Sequence, residues 1–432
     1  MSTRIKKAVV SGGKELVGEI KISGAKNSVL KLICASLLLK NGKLTLHNVP
    51  NLSDVMTLLY LINRLHGSVT LDMSVASESK TIILDTSTVD DWFAPYEIVS
   101  KMRATFNTLG PLLSRFGKAK VSLPGGCAIG TRGLDIHFDS LKQMGVDIQI
   151  EDGYVLANAI NGKVQGANIN FRFASVGATE NIMLAAVLAE GKTIINNVAK
   201  EPEIVDIANC INAMGGKIKG AGTSTIEIDG VEELHSAEWT TIGDRMEAGS
   251  YMMAALLTNG DLTLNGLDFD ILNNLIEKLT AMGADITRIS KTSLRIKKNN
   301  KLKPVNIVTD VHPAFPTDLQ APMVALLANI DGNSEVDETI YENRFMHVPE
   351  LVRMNANITL NGNKAIIKGQ EKCYKCATVM ASDLRCGMAL ILAGMAAKGE
   401  THIKHFYHVE RGYEFTDRKL KKCGVDIKIL YE

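Results

Sequence analysis

The sequence predicts an α/β protein built from six repeats of about 70 residues, gathered as two lobes of three. Two recurrent phrases carry this reading. In one, a helical segment meets a small turn residue and then a short strand. Its turn residues are Gly67, Gly145, Gly215, Gly283, Asn355 and Gly424, spaced by 78, 70, 68, 72 and 69 positions. In the other, an apolar helix is followed by a glycine and an alternating strand. Those glycines are Gly42, Gly117, Gly191, Gly260, Gly332 and Gly399, spaced by 75, 74, 69, 72 and 67. Two independent phrases with one period define the repeat. A piece of this length forms a small helix–sheet subdomain, longer than the common solenoid repeats.

The elements follow in chain order. A-S-L-L-L-K-N-G-K-L-T-L around Gly42 reads as helix, left-handed glycine stop and the strand Lys43 to Leu46. N-R-L-H-G-S-V around Gly67 is a weak copy of the turn phrase, and L-K-Q-M-G-V-D-I ending at Ile148 is a strong one. Between them a strand over Lys120 to Leu123 leads into a glycine-rich loop. A-A-V-L-A-E-G-K-T-I-I gives the third apolar helix and the strand Thr193 to Ile195. I-N-A-M-G-G-K-I and L-T-A-M-G-A-D-I repeat the turn, the second after the helical spacing of Leu272, Leu275, Ile276 and Leu279. A-G-M-A-A-K-G-E-T-H-I and L-K-K-C-G-V-D-I close the series.

Composition excludes several classes. Of 432 residues, 46% are hydrophobic and 22% charged, the balance of a globular chain rather than a disordered or collagenous one. Lysine and arginine number 48 against 47 acidic residues, so the basic excess of a nucleic-acid binder is missing. The same balance argues against a DNA-enclosing ring of six repeats. The longest apolar run, Gly387 to Ala397, is too short for a membrane span, and the apolar stretch after Arg4, Lys6 and Lys7 is too short for a signal h-region. Seven cysteines, an odd number, point to reduced thiols. The spacing of Cys373 and Cys376 suits zinc, but no second ligand pair accompanies it, so no metal is expected. The reading is a cytoplasmic protein without membrane, nucleic acid or an obligate protein partner.

Polar residues that break the repeat mark candidate chemistry. Leu123 to Arg132 (L-P-G-G-C-A-I-G-T-R) is a glycine-rich loop holding Cys127, whose thiol Arg132 would acidify; the alternative is a turn with an incidental cysteine. Ser23 to Ser28 sets Lys26 and Asn27 at a glycine-bearing helix start, which suits an anionic ligand but lacks the P-loop pattern. Ser175-Val176-Gly177-Ala178-Thr179 either offers backbone N–H groups to a phosphate or caps its helix through Ser175. In His312 to Asp318 (H-P-A-F-P-T-D) a carboxylate follows two prolines at a helix start, as an ionised functional group or as a cap. Arg103, Arg344, Arg385 and Arg411 stand at helix starts or loops. With Lys26 and Arg132 they suit a ligand carrying several negative charges.

These phrases resemble the UDP-N-acetylglucosamine 1-carboxyvinyltransferases, the peptidoglycan enolpyruvyl transferases of the EPSP synthase-like superfamily. The resemblance runs from about Val10 to Ile429. It is carried by I-S-G-A-K-N at Ile22, K-M-R-A at Lys101, S-L-P-G-G-C-A-I-G-T-R at Ser122, S-V-G-A-T at Ser175 and E-P-E-I-V-D at Glu201. H-P-A-F-P-T-D at His312, E-N-R-F-M-H-V at Glu342, S-D-L-R at Ser382 and Y-H-V-E-R-G-Y at Tyr407 complete it. It implies an inside-out α/β barrel with two lobes, residues 1–25 plus 242–432 and residues 26–241, and an active site in the cleft.

The reaction it implies moves the enolpyruvyl group of phosphoenolpyruvate, a co-substrate, to the 3′-hydroxyl of UDP-N-acetylglucosamine and releases phosphate, with no cofactor. Lys26, Asn27, Arg132, Arg385 and Arg411 would bind phosphoenolpyruvate, and Lys26 and Arg411 count among the catalytic set. Cys127 would be the general acid, able to form an adduct and to be alkylated by fosfomycin, on a loop that closes as a lid. Asp318 would bind the sugar hydroxyl and take its proton. The nucleotide sugar would meet Arg103, Arg132, Gly133, Leu134, Asp135, Ile136, Phe173, Ala174, Ser175, Val176, Asp318 and Ile340. Two positions depart from the family pattern: Gly133 replaces a usual proline, and Phe173 stands where some members have a basic residue. A shikimate-type transferase and a non-catalytic UDP-sugar-binding paralogue are the alternatives. The P-G-G-C loop and S-V-G-A-T favour the nucleotide-sugar enzyme over the first, and the intact set of Lys26, Cys127, Asp318 and Arg411 argues against the second.

Overall fold

A computed structural model describes residues 6–72, 80–124, 133–299 and 301–431. The described residues fall into two compact units. One holds those up to Ser23 and from Gly243 onward, the other those from Gly24 to Ile242. Each unit has its own apolar core, so neither draws its stability from a core shared with the other.

Among the described residues there are six four-stranded sheets with one common pattern. An edge strand pairs in parallel with the second strand, which is antiparallel to the third, which is antiparallel to the fourth. In the second repeat these are Phe93–Ala94, Lys118–Ser122, Tyr154–Ala159 and Val146–Glu151. In the fifth they are Ile307–Val308, Gly332–Asp337, Lys364–Gly369 and Ile358–Asn361. The parallel pair needs a crossover; in four sheets an apolar helix connects the two strands directly, and in the other two the helix before the second strand is reached from an edge strand of the other unit.

Those crossover helices are Lys26–Ser36, Leu109–Phe116 and Val176–Ala186 in one unit, and Arg245–Leu257, Gln320–Ala328 and Leu384–Ala396 in the other. They are buried nearly all round: every residue of Arg245–Leu257 and of Gln320–Ala328 is inside. A helix apolar on all faces has to lie in the middle of its unit. The second helix of each repeat is amphipathic by contrast. Asn273–Ala281 buries only Leu275 and Leu279. Helices lie inside and sheets outside, as an inside-out α/β barrel requires.

Three repeats are assembled from distant chain. Strand Lys6–Gly12 pairs with Gly399–Lys404 and with Asp426–Tyr431, so the N-terminal strand completes the sixth sheet. Strand Val17–Lys21 is the edge of the sheet beginning Asp261–Asn265, yet the chain after it forms helix Lys26–Ser36 of the other unit. Ala237–Thr240 does the reverse: it edges the sheet of Lys43–Val49 and leads to helix Arg245–Leu257. The two crossings therefore exchange one equivalent connection. Each carries a glycine for which a side chain has no room. A Cβ on Gly24 would meet the Asn48 carbonyl oxygen at 1.8 Å, and one on Gly243 the Gly266 carbonyl oxygen at 2.3 Å.

The turn phrase is realised in all six repeats. Gly145, Gly215, Gly283, Asn355 and Gly424 are left-handed, and in the first repeat the positive φ falls on His66, one residue before Gly67. The glycine of the apolar phrase is a helix stop only at Gly117, the C-cap of Leu109–Phe116. Helix Lys26–Ser36 ends six residues before Gly42, and Val176–Ala186 ends five before Gly191. At Gly260 the positive φ belongs to Asn259. Gly260 is needed for another reason: its Cβ would lie 2.2 Å from the Leu16 carbonyl oxygen. This phrase marks the start of the second strand more than the end of the helix.

Candidate active site

Each unit gathers part of the sequence-derived set at the N-terminal ends of its buried helices. In the unit containing Asp318, the segment Thr317–Leu319 is a single 3₁₀ turn ahead of helix Gln320–Ala328. Asp318 does not cap that helix. Its Oδ2 accepts from Arg385 Nη2 at 2.6 Å, and its Oδ1 accepts from Arg344 Nη2. Each carboxylate oxygen thus has a guanidinium partner, in a pocket where both arginines are buried and Asp318 keeps some exposure to solvent. Arg385 continues the chain: its Nη1 donates to Tyr413 Oη at 3.1 Å, which is 2.9 Å from Ser250 Oγ. Burial opposes the charge of Arg385, but the field of Asp318, with smaller help from Tyr413 and Asp244, more than offsets it and raises its affinity for the proton.

Arg385 and Arg344 are held by their local sequence. Asp383 caps helix Leu384–Ala396, accepting from Arg385 N at 2.8 Å and Cys386 N at 3.1 Å, so Arg385 is fixed in the first turn. Asp244 caps Arg245–Leu257 in the same way, through Met246 N and Glu247 N. Near Arg344, the imidazole of His347 is buried and pushed down to about 4, first by loss of solvent, with Asp383 opposing and Arg344 adding to the shift. Ile340 lies on a segment tied down by buried Glu338. Glu338 Oε1 accepts from Ile340 N at 2.9 Å and Tyr341 N at 3.2 Å, and its Oε2 takes the Thr317 hydroxyl at 2.9 Å, one residue from Asp318. Arg411 ends the 3₁₀ segment Phe406–Arg411 and is half-buried.

The other unit is arranged differently. Helix Lys26–Ser36 begins at Lys26 itself, with no side-chain cap and no acid in its first turn. Lys26 Nζ lies 2.7 Å from Asp54 Oδ2, and Asn27 is half-buried beside it. Deeper along this helix, Lys31 Nζ meets Glu180 at 3.1 Å, and Asn107 Nδ2 donates to the same carboxylate at 2.7 Å. Burial raises the Glu180 carboxyl above its ordinary range, with Lys31 opposing. Ser28 donates to Asp206, which also accepts from Trp239 Nε1 at 2.9 Å. The E-P-E-I-V-D phrase therefore has a structural role: Pro202 starts its helix and Asp206 fastens it to the first buried helix and to an edge strand.

Arg103 opens a 3₁₀ segment, Arg103–Thr108, and is half-buried. It adds to the burial that pushes His137 down to about 3, which Asp135 opposes. His137 Nδ1 is 3.0 Å from Asn181 Nδ2. Ser175 caps helix Val176–Ala186, accepting from Ala178 N at 3.4 Å, so its hydroxyl serves the helix. Phe173 and Val176 are exposed, and Ala174 is half-buried. Gly133 and Asp135 are exposed, Leu134 is half-buried and Ile136 belongs to the core. Asp135 pairs with Arg172, which brings the segments 133–136 and 172–176 together. Cys127 and Arg132 lie outside the described residues.

Sequence reasoning missed the partner of Asp318 and the two histidines. Arg344 was one arginine among several, and only the fold shows that it shares Asp318 with Arg385. The histidines carried a usable signal. His137 and His347 each stand eight residues before their turn residue, where the other repeats have Leu59, Ile207, Leu275 and Thr416. All six are buried, so the position is a core position and its histidines stay neutral.

The fold and the polar set together define a class. The chain belongs to the EPSP synthase family, whose pattern, described as EPSP synthase (3-phosphoshikimate 1-carboxyvinyltransferase), matches residues 10–420. Within it, the chain is 48% identical over 428 residues to a protein of Chelativorans sp. named UDP-N-acetylglucosamine 1-carboxyvinyltransferase, with 97% of this chain and 98% of that one covered. A Psychrobacter protein of the same name is 46% identical over 421 residues, covering 97% and 95%. Among solved structures, the enolpyruvyl transferase NikO from Streptomyces tendae superposes with a TM-score of 0.88 at 22% identity, over 99% of this chain and all of that one, a likeness of fold.

Proposed function

We propose that this protein is an enolpyruvyl transferase that joins phosphoenolpyruvate to the 3′-hydroxyl of UDP-N-acetylglucosamine and releases phosphate, in the service of peptidoglycan synthesis. The observation that carries the reading is the full-length likeness to relatives bearing that name. The arrangement around Asp318 supports it. Addition of a sugar hydroxyl across the double bond of an enol phosphate needs a base at the hydroxyl and an acid at the methylene carbon, and loss of phosphate with a proton from the new methyl group then restores the double bond. Asp318 is the base in this reading. Arg344 and Arg385 fix its direction, so the carboxylate does not have to be ordered when substrate arrives. Cys127 is the acid. Lys26, Asn27, Arg132, Arg385 and Arg411 bind the phosphate and carboxylate of phosphoenolpyruvate. Arg103, the stretches 132–136 and 173–176, and Ile340 take the nucleotide sugar.

The test is release of inorganic phosphate from phosphoenolpyruvate with either UDP-N-acetylglucosamine or shikimate 3-phosphate as acceptor. Release that requires the nucleotide sugar is the expected result. Release with shikimate 3-phosphate instead would replace this reading with the shikimate-type one. Nucleotide-sugar binding without any release would leave a non-catalytic binding protein.

A further inference from the structure

The nucleotide-sugar reading leaves a charge problem in the unit that carries Asp135. A diphosphate brings two negative charges, and Asp135 adds a third on one of the segments that would meet it. Phe173 adds no positive charge on the other. The structure supplies a cation one residue away. Arg172 is exposed, and its guanidinium pairs with Asp135 and lies 3.9 Å from Asp139. It follows the short strand Asn168–Asn170 and precedes the helix that starts at Val176, next in the chain to exposed Phe173.

Gly133 belongs to the same arrangement. A Cβ at that position would meet Asp135 Oδ1 at 2.5 Å. A side chain at 133 would require the Asp135 carboxylate to shift. The space at this glycine is taken by the carboxylate that reaches Arg172. Gly133, Asp135 and Arg172 form one local unit next to Phe173.

We infer that Arg172 is the cation that binds the diphosphate of the nucleotide sugar, held at the site by Asp135 in the space that Gly133 leaves. The inference rests on the proposed function. A guanidinium carries five donors in a planar fork, more than one carboxylate occupies, so it can donate to phosphate oxygens while still paired with Asp135.

The experiment is steady-state kinetics of wild type, Arg172→Gln, Arg172→Lys and the double variant Arg172→Gln/Phe173→Lys, with thermal unfolding as a control for folding. Arg172→Gln should raise the KM for UDP-N-acetylglucosamine about 10- to 100-fold, the range for one charge-assisted hydrogen-bonded contact. The KM for phosphoenolpyruvate and kcat should change less than about threefold, because the chemistry is elsewhere. Arg172→Lys should fall between, and Phe173→Lys should restore most of the lost affinity by returning the charge one residue away. A purely structural ion pair predicts the opposite pattern: lowered stability, no selective KM effect and no rescue. A wild-type enzyme that turns over UDP-N-acetylglucosamine, with an unchanged KM in Arg172→Gln, would overturn the role of Arg172 alone. A wild type that neither binds nor uses the nucleotide sugar would overturn the functional reading with it.

Discussion

The two units share one repeat but differ in what stands at the start of their buried helices. In the unit of Asp318, carboxylates sit at all three starts: Asp244 and Asp383 as caps, and Asp318 one turn ahead of its helix. Arginine neutralises Asp318 from two sides. In the unit of Lys26, the helices start at Lys26, at Leu109 after the segment opened by Arg103, and at Ser175-capped Val176, with no acid in any first turn. None of these helices carries a carboxylate of its own in its first turn. One sheet-and-helix plan thus yields a place that suits a base and a place that suits an anion. Architecture came from repetition, and the division of labour from a few residues at one end of each helix.

Among the partners of Asp318, the largest expected effect attacks the first of these arrangements. Arg385→Gln removes one of the two cations on Asp318 and breaks the path to Tyr413 and Ser250. Turnover should fall about 10²-fold or more, as for loss of one preorganised donor at a reaction centre. Arg344→Gln should leave the Tyr413 path intact and cost less stability than Arg385→Gln in a denaturant titration. Equal effects of the two would mean that the buried path from Arg385 contributes nothing.

A smaller effect sharpens the likeness between the units, the pair of core histidines. Both folded-state values lie below the ordinary 6.5, at about 3 for His137 and about 4 for His347. The unfolded chain then binds more protons than the folded one between those limits. The stability is fully present above pH 6.5 and is lost as pH falls toward 4. His347 Nε2 has no hydrogen-bond partner among the described residues, so leucine, found at this repeat position elsewhere, should be tolerated. His347→Leu should reduce the fall in Tm between pH 7 and pH 5. An unaltered fall would assign the acid sensitivity to other groups. Raised carboxyls such as Glu180 work in the opposite direction, since protonation relieves their burial.

Much of the fold was legible because repetition is a property of sequence. The turn phrase located a left-handed residue in every repeat, with a one-residue offset only at His66. The glycine phrase was legible as a boundary and misleading as a helix stop. Glycine was required at Gly260 by a close carbonyl rather than by φ. The completion of the sixth sheet by Lys6–Gly12 was not legible, because pairing Lys6 with Tyr431 joins opposite ends of the chain. Single residues of the site were legible where a motif surrounded them, as at Lys26 and Asp318. Their partners were not, because Arg344 and Asp54 act through distances that only the fold sets.

The central claim is that Asp318, held by two arginines, activates the acceptor hydroxyl. The direct measurement is single-turnover phosphate release from phosphoenolpyruvate and UDP-N-acetylglucosamine by wild type, Asp318→Asn and Cys127→Ala, with nucleotide-sugar binding followed by calorimetry. The account predicts that both variants still bind the nucleotide sugar, while release slows by about 10²–10⁴-fold, the usual contribution of a placed acid or base. Asp318→Asn that binds the nucleotide sugar and releases phosphate at the wild-type rate would contradict it.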